Sequence, residues 1–156
     1  MIHFDLDGVM RWLTHDLRGG MDPQTWSEPL PNGQDLCSYI DENLDVLISA
    51  PATRFCATIK KLKEIHIISH QPDHWKPGTM YWIGKHIPNS KLIIDFVKSP
   101  QEKMAFLSNG DLIVEDYPFF EDYSKIILIE WAYNRHVNDP YARITEPEQL
   151  KKIIFQ

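Results

Sequence analysis

The chain has 156 residues and a mass of 18.3 kDa, which fits one domain and excludes a second full one. Its 43% hydrophobic and 24% charged residues are typical of a globular protein, and a net charge of −6 without a basic block argues against nucleic acid as a partner. No apolar run reaches the ~20 residues of a membrane helix, and the N-terminus lacks the features of a signal peptide, so we expect a cytoplasmic protein without membrane association.

Short apolar runs, separated by turn and helix signals, predict the strands of a parallel sheet. We count five of them, at residues 2–6, 65–69, 92–96, 112–115 and 126–129. Helical spacing or start signals predict helices over residues 54–63, after Pro77, after Ser99 and after Thr145. Together these elements predict a doubly wound α/β domain with a mostly parallel, five-stranded sheet.

One segment, residues 10–52, is too long for a simple crossover between the first two strands. It contains Gly19-Gly20 and Asn32-Gly33, and then apolar residues at helical spacing from Leu36 to Ile48. An insertion after the first strand of an open sheet lies over the carboxyl edge, where ligands bind. We therefore predict a small helical cap within a single domain of residues 1–156, with a packed structural extension as the alternative.

Acidic pairs follow two of the predicted strands. Asp5 and Asp7, with Gly8 directly after them, follow the first strand, and Glu115 and Asp116 lie at the end of the fourth. Parallel strands end at the same edge of a sheet, so these carboxylates should meet there and repel one another. A hard cation with oxygen ligands removes that conflict, and the pattern predicts a Mg²⁺ site. Solvated loop acids are the alternative interpretation.

Further polar residues follow the remaining strands. Ser69 can offer a hydroxyl and the following backbone N–H groups to an anion, and Lys103 can reach the same place as a point charge. His70 is a candidate for contact with a phosphate or for a helix cap. The sequence thus predicts a phosphate site beside the Mg²⁺ site.

The order of these residues resembles the haloacid dehalogenase superfamily of phosphatases over most of the chain outside residues 10–52. Asp5-Leu6-Asp7-Gly8-Val9 is similar to the first motif, the strand ending in Ser69 to the second, Lys103 to the third, and residues 111–116 to the fourth. Within the superfamily, residues 81–86 and 102–118 are most similar to the 5′(3′)-deoxyribonucleotidases. The chain departs from that pattern at Glu115, where the family has aspartate, and at His70-Gln71.

This resemblance implies that Asp5 is a nucleophile that forms an aspartyl-phosphate and that Asp7 is the general acid and base. A proton donor needs a raised pKa, which we expect of Asp7 and not of Asp5. The metal ligands would be Asp5, the backbone carbonyl of Asp7, and Asp116, with Glu115 acting through water or holding Lys103. Ser69, His70, Gly8 and Lys103 would bind the phosphoryl group.

The expected partner is a small phosphorylated metabolite, most plausibly a nucleoside monophosphate, with aromatic residues as candidates for contact with its base: Trp12, Trp26, Tyr39 and Trp75. A sugar phosphate or a phosphate at a nucleic-acid end is the alternative substrate. A signalling receiver module and a catalytically idle phosphate-binding protein are alternatives of another class. The sequence leaves open whether the chain forms a homodimer.

Overall fold

The computed structural model describes all residues from Met1 to Gln156. Its strands form a single parallel sheet: β1 Ile2–Phe4, β2 Glu64–His70, β3 Lys91–Val97, β4 Leu112–Glu115, β5 Ile126–Ile129 and β6 Ala142–Ile144. They are arranged in the order β3-β2-β1-β4-β5-β6, so the direction of winding reverses between β1 and β4. In open α/β sheets, the crevice at such a reversal is where ligands bind.

The structure has six strands, and the predicted number of five is wrong. The additional strand is β6, which pairs in parallel with β5 through Leu128 and Arg143. Its sequence is Ala-Arg-Ile, so it lacks the apolar run that indicates the other strands. The sheet is also parallel throughout rather than mostly parallel, since every pair of neighbouring strands runs in the same direction.

Five short α-helices connect or follow the strands: α1 Leu36–Glu42, α2 Asp45–Ser49, α3 Cys56–Ile59, α4 Lys76–His86 and α5 Pro147–Ile154. The helix starts predicted at Pro77 and before Leu150 are confirmed. The helix predicted over residues 54–63 is a single turn, Cys56–Ile59, and turns and bends connect it to the start of β2 at Glu64. The helix predicted after Ser99 is a 3₁₀ helix, Gln101–Phe106.

The two faces of the sheet are covered differently. Alternate strand residues point to opposite faces, so Ile127 and Ile129 join a core of 20 buried residues that includes Trp82 of α4 and Leu150 of α5. The other face has a cluster of 8 buried residues, which the loops around Phe120 complete. Both faces are therefore closed to water, one by α-helices and the other mainly by loops and a 3₁₀ helix. No helix of the chain has both the length and the apolar character needed to cross a membrane.

The segment 10–52 contains α1, α2 and a 3₁₀ helix, Asp16–Arg18. It has its own cluster of 5 buried residues, which packs Ile40 and Leu47 against Trp75 before α4. The helix α2 approaches α4 closely, since a Cβ atom on Gly78 would lie 3.1 Å from the Cβ of Leu47. The first residues of the segment belong to the main core instead, where Met10 is fully buried.

Candidate active site

The acidic residues predicted to meet do so at the junction of β1 and β4. The N–H of Asp5 donates to the carbonyl oxygen of Val114 at 2.9 Å, which brings the end of β1 beside the end of β4. Asp5, Glu115 and Asp116 each place one carboxylate oxygen within 4.8 Å of the others. All three residues are buried, with exposed fractions of 7%, 0% and 2%.

Lys103 is the cation within this group. Its Nζ atom lies 2.8 Å from Asp5 Oδ1 and also donates a hydrogen bond to Glu115 Oε1. The second oxygen of Glu115, Oε2, accepts hydrogen bonds from the backbone N–H groups of Asp116 and Tyr117 at 2.9 and 3.1 Å. Because both its oxygens have partners, Glu115 is placed to hold Lys103 rather than to bind a metal ion directly.

Asp116 has one satisfied and one unsatisfied oxygen. Tyr133 donates its phenolic hydrogen to Oδ2, and the side chain of Asn134 donates to the backbone carbonyl of Asp116 at 2.9 Å. Oδ1 is buried and has no hydrogen-bond partner. An unpartnered buried carboxylate oxygen is costly, so this atom is a candidate ligand for a cation.

Tyr133 and Asn134 are site residues that the sequence analysis missed. Both are buried in the 3₁₀ helix Ala132–Asn134, which follows β5 at the same edge of the sheet. A usable signal was present, because β5 ends there like the strands before Asp5 and Asp116. Polar residues directly after a wholly apolar strand indicate a position at that edge.

Gly8 allows Asp116 to approach the loop after β1. It has a φ of +80°, which favours glycine, and a Cβ atom there would lie 1.8 Å from Asp116 Oδ2. The indole N–H of Trp131 donates to the carbonyl oxygen of Gly8 at 2.9 Å and fixes the turn. A side chain at this position would therefore displace Asp116.

The carboxylates outnumber the cations that stabilise them. Burial, together with the charge of Glu115, raises the pKa of Asp5 to about 7 despite the contact with Lys103. The pKa of Asp116 is also raised, by burial and by the charges of Glu115 and Asp5. Burial alone would lower the pKa of Lys103, but the two carboxylates that it contacts raise it. The expectation that the pKa of Asp5 stays low is wrong for the protein chain without a bound cation.

These features fit a divalent cation. Asp5 and Asp116 are adjacent oxygen donors, one of them has a buried oxygen without a partner, and the charge of the group is negative. Hard cations such as Mg²⁺ and Ca²⁺ bind oxygen donors of this kind. The backbone carbonyl of Asp7 stays a predicted ligand, and the Asp7 side chain does not join the three clustered carboxylates.

Asp7 is held by an arginine. Its Oδ1 atom lies 2.6 Å from Arg11 Nε and its Oδ2 atom 3.0 Å from Arg11 Nη2, which makes the pair bidentate. Arg11 is fully buried, whereas the side chain of Asp7 is 26% exposed. The carboxylate of Asp7 is thus fixed in orientation at the border of the cleft.

Ser69 and His70 lie at the end of β2, next to the cluster. Ser69 is 1% exposed and accepts a hydrogen bond from Gln71 Nε2 at 2.9 Å. His70 is exposed and lines the cleft, and its pKa is lowered by partial desolvation of the ring and by the positive charge of Lys103. His70 is therefore placed to meet a ligand, and Ser69 lies just beneath the cleft wall.

A cleft of about 420 Å³ opens directly onto Asp5 and Lys103. The opposite wall comes from the segment 10–52, through Leu13, Trp26, Leu36 and Cys37. A smaller hollow of about 120 Å³ adjoins it, and Asp7 and Trp26 line both. Of the other aromatic candidates, Trp75 lines the large cleft, Trp12 lines the small one, and Tyr39 lines neither.

No model of a known protein family matches the chain, and a search among curated proteins finds no match. The resemblance to the haloacid dehalogenase superfamily therefore depends on the sequence motifs alone.

Proposed function

We propose that the protein is a Mg²⁺-dependent phosphomonoesterase of the haloacid dehalogenase type, with Asp5 as the nucleophile. The observation that carries this proposal is the contact of Lys103 with Asp5 beside the unpartnered Asp116 Oδ1. A lysine on one oxygen of a buried carboxylate orients the other oxygen for attack. The unpartnered oxygen of Asp116 in the same cluster would bind the cation that a phosphate dianion needs.

The chemistry divides into two displacements. An oxygen of Asp5 forms a bond to phosphorus while the bond to the leaving alkoxide breaks. Asp7 gives that alkoxide a proton once it is protonated and has turned away from Arg11, because a carboxylate that accepts from a guanidinium through both oxygens carries no proton. A water molecule then attacks the phosphorus of the aspartyl-phosphate, Asp7 takes up the proton of that water, and inorganic phosphate leaves as Asp5 is regenerated. Lys103 and Ser69 stabilise the negative charge of the transferred group. Mg²⁺, held by Asp5 and Asp116, would supply positive charge next to the phosphoryl oxygens.

The cleft supports a substrate larger than a bare phosphate. Its volume of about 420 Å³ lies within the range of roughly 300–1,000 Å³ that is usual for small-molecule sites. Trp26, Trp75 and Tyr117 contribute aromatic surface to its lining. Rings of this kind stack on planar groups, which favours a nucleoside monophosphate over a sugar phosphate.

The sheet order argues against a receiver module. Receiver sheets have the order 2-1-3-4-5, which places the first strand between the second and the third. In this chain β1 lies between β2 and β4. A catalytically idle binding protein is also disfavoured, because burying Asp5, Glu115 and Asp116 against one lysine destabilises the fold and brings no benefit without a cation.

Phosphate release from an aryl phosphate and from a panel of nucleoside and sugar monophosphates tests the proposal. The protein should hydrolyse them with Mg²⁺ and lose activity in excess chelator, and Asp5→Asn should be inactive. Asp139→Asn is a matched control, because Asp139 is an exposed loop residue with a φ of 52° that asparagine also adopts. Turnover that persists in chelator would contradict the metal, and full activity of Asp5→Asn would contradict the nucleophile.

A further inference from the structure

A continuous chain of buried hydrogen bonds starts at Arg11. Besides its two bonds to Asp7, the guanidinium donates through Nη1 to Thr79 Oγ1 at 3.0 Å and to the carbonyl oxygen of Leu47 at 3.1 Å. Arg11 and Thr79 are both 0% exposed. One buried cation therefore contacts the loop after β1, the helix α4 and the helix α2 of the insertion.

The chain continues from Thr79 to Ser69. The hydroxyl of Thr79 donates to Gln71 Oε1 at 2.6 Å, and Gln71 Nε2 donates to Ser69 Oγ at 2.9 Å. Gln71 and Ser69 are 5% and 1% exposed, so bulk water does not compete for these bonds. The carboxylate of Asp7 and the hydroxyl of Ser69 are thereby joined through three intermediate side chains.

The chemistry of arginine fixes the direction of each of these bonds. A guanidinium has five donors and no acceptor, so Thr79 Oγ1 must accept from Arg11, and the one hydroxyl hydrogen of Thr79 is left to donate to Gln71. The amide oxygen of Gln71 therefore faces Thr79, and its NH₂ group faces Ser69. Since Ser69 Oγ accepts that bond, the hydroxyl hydrogen of Ser69 is free for another acceptor.

We propose that Arg11, Thr79 and Gln71 act as positioning residues, which hold Asp7 in place and leave Ser69 free to donate a hydrogen bond to a phosphoryl oxygen. This inference rests on the proposed phosphatase function. It adds to that function a buried relay, defined here as Arg11, Thr79 and Gln71. At one end the relay makes Ser69 accept from Gln71 and leaves its hydroxyl hydrogen to be donated, and at the other end it sets the orientation of Asp7. None of the three touches the reacting atoms.

Breaking the relay at Thr79 should reduce the rate of the chemical step. Thr79→Val keeps the shape of the side chain and the bidentate Arg11–Asp7 pair but removes the hydroxyl. Gln71 Oε1 then loses the hydroxyl donor that orients its amide, and Ser69 is no longer obliged to act as a donor. Removal of a positioned donor typically costs 10²–10³-fold in kcat, and partial misorientation should cost about tenfold with little change in KM.

A double-mutant cycle tests the relay, with kcat and KM measured for the same phosphate ester with Mg²⁺. Thr79→Val should lower kcat about tenfold in the wild-type background and less than twofold in a Ser69→Ala background, since the relay then has no hydroxyl to direct. Thr79→Ser should keep wild-type kcat because it retains the hydroxyl. Thr58→Val, a buried threonine of α3 outside the site, is the matched control and should leave kcat unchanged.

Each outcome decides the question. Equal losses from Thr79→Val with and without Ser69, or equal losses from Thr79→Val and Thr79→Ser, would show a packing effect and overturn the relay while leaving the phosphatase intact. Absence of any phosphate release by the wild-type protein would overturn the proposed function and the relay together. A loss of kcat from Thr79→Val that occurs only when Ser69 is present supports both the relay and the proposed function.

Discussion

Neutralising Asp5 should stabilise the protein when no divalent cation is present. Burial and the charge of Glu115 raise the pKa of Asp5 from 3.8 to about 7. An acid whose pKa is higher in the folded state favours folding at low pH, and this contribution is lost as the pH rises from 3.8 to about 7. The difference of about three pH units, at 1.36 kcal/mol each, corresponds to about 4 kcal/mol at pH 8.

The substitution Asp5→Asn removes that penalty but keeps an oxygen that can accept from Lys103. For a chain of this size, 4 kcal/mol corresponds to a rise in Tm of roughly 10 °C. The assay is thermal unfolding in chelator between pH 4 and pH 8, with wild type, Asp5→Asn and the exposed-loop control Asp139→Asn. Asp5→Asn should exceed wild type at pH 8, the gap should shrink toward pH 4, and added Mg²⁺ should narrow it by stabilising only the wild type.

Two results would refute this reasoning. If Asp5→Asn melts at or below the wild-type temperature throughout the pH range, the buried carboxylates are not in electrostatic conflict. If the gap is as large at pH 4 as at pH 8, the gain comes from packing or hydrogen bonding and not from the removed charge, because Asp5 is protonated in folded wild type well below pH 7.

Two further substitutions separate the metal site from the substrate site. Gly8→Ala should lose about 1–3 kcal/mol of stability from its positive φ and also lose Mg²⁺-dependent activity by displacing Asp116. Gly110→Ala is the control, because Gly110 has a φ of +84° but open space around it, and this variant should lose stability alone. Chemical denaturation and activity are measured for both variants, and full activity of Gly8→Ala would contradict the packing argument. Trp26→Ala should raise the KM for a nucleoside monophosphate about 5- to 150-fold, because it removes about 1–3 kcal/mol of base stacking, and it should leave the KM for ribose 5-phosphate unchanged. An equal change in both KM values would place Trp26 outside the base contact.

The strands before the site were predictable because each contains an apolar run. β4 and β5 match their predicted bounds; β1 ends two residues earlier than predicted, and β2 and β3 each extend one residue further at both ends. β6 was not predictable, since Arg143 in its centre pairs with Glu130 and its outer position in the sheet requires no apolar run. Local pattern detects strands that carry an apolar run, including the outer strand β3, and misses an outer strand such as β6 that lacks one.

The residues of the site also divide into those that the sequence pattern indicates and those that it does not. The acids of the cluster follow apolar strands, and the reversal of winding between β1 and β4 brings them together, so spacing and order along the chain indicated them. Arg11 and Thr79 have no comparable signal, because Arg11 reaches Leu47 of α2 and Thr79 of α4, and these contacts depend on how the elements pack. The residues that could do the chemistry are therefore easier to predict from sequence than the residues that hold them in place.

The contacts of Arg11 also show that the segment 10–52 is not exchangeable as a whole. As a segment defined by length, residues 10–52 would be an exchangeable cap, and replacing the whole of it should alter only substrate preference. Met10 lies in the main core and Arg11 joins Asp7 to α4 and to the carbonyl of Leu47, so a replacement with those limits would also remove a support of Asp7. The exchangeable part is therefore the stretch between Leu13 and α2, which lines the cleft through Trp26, Leu36 and Cys37 without taking part in the relay.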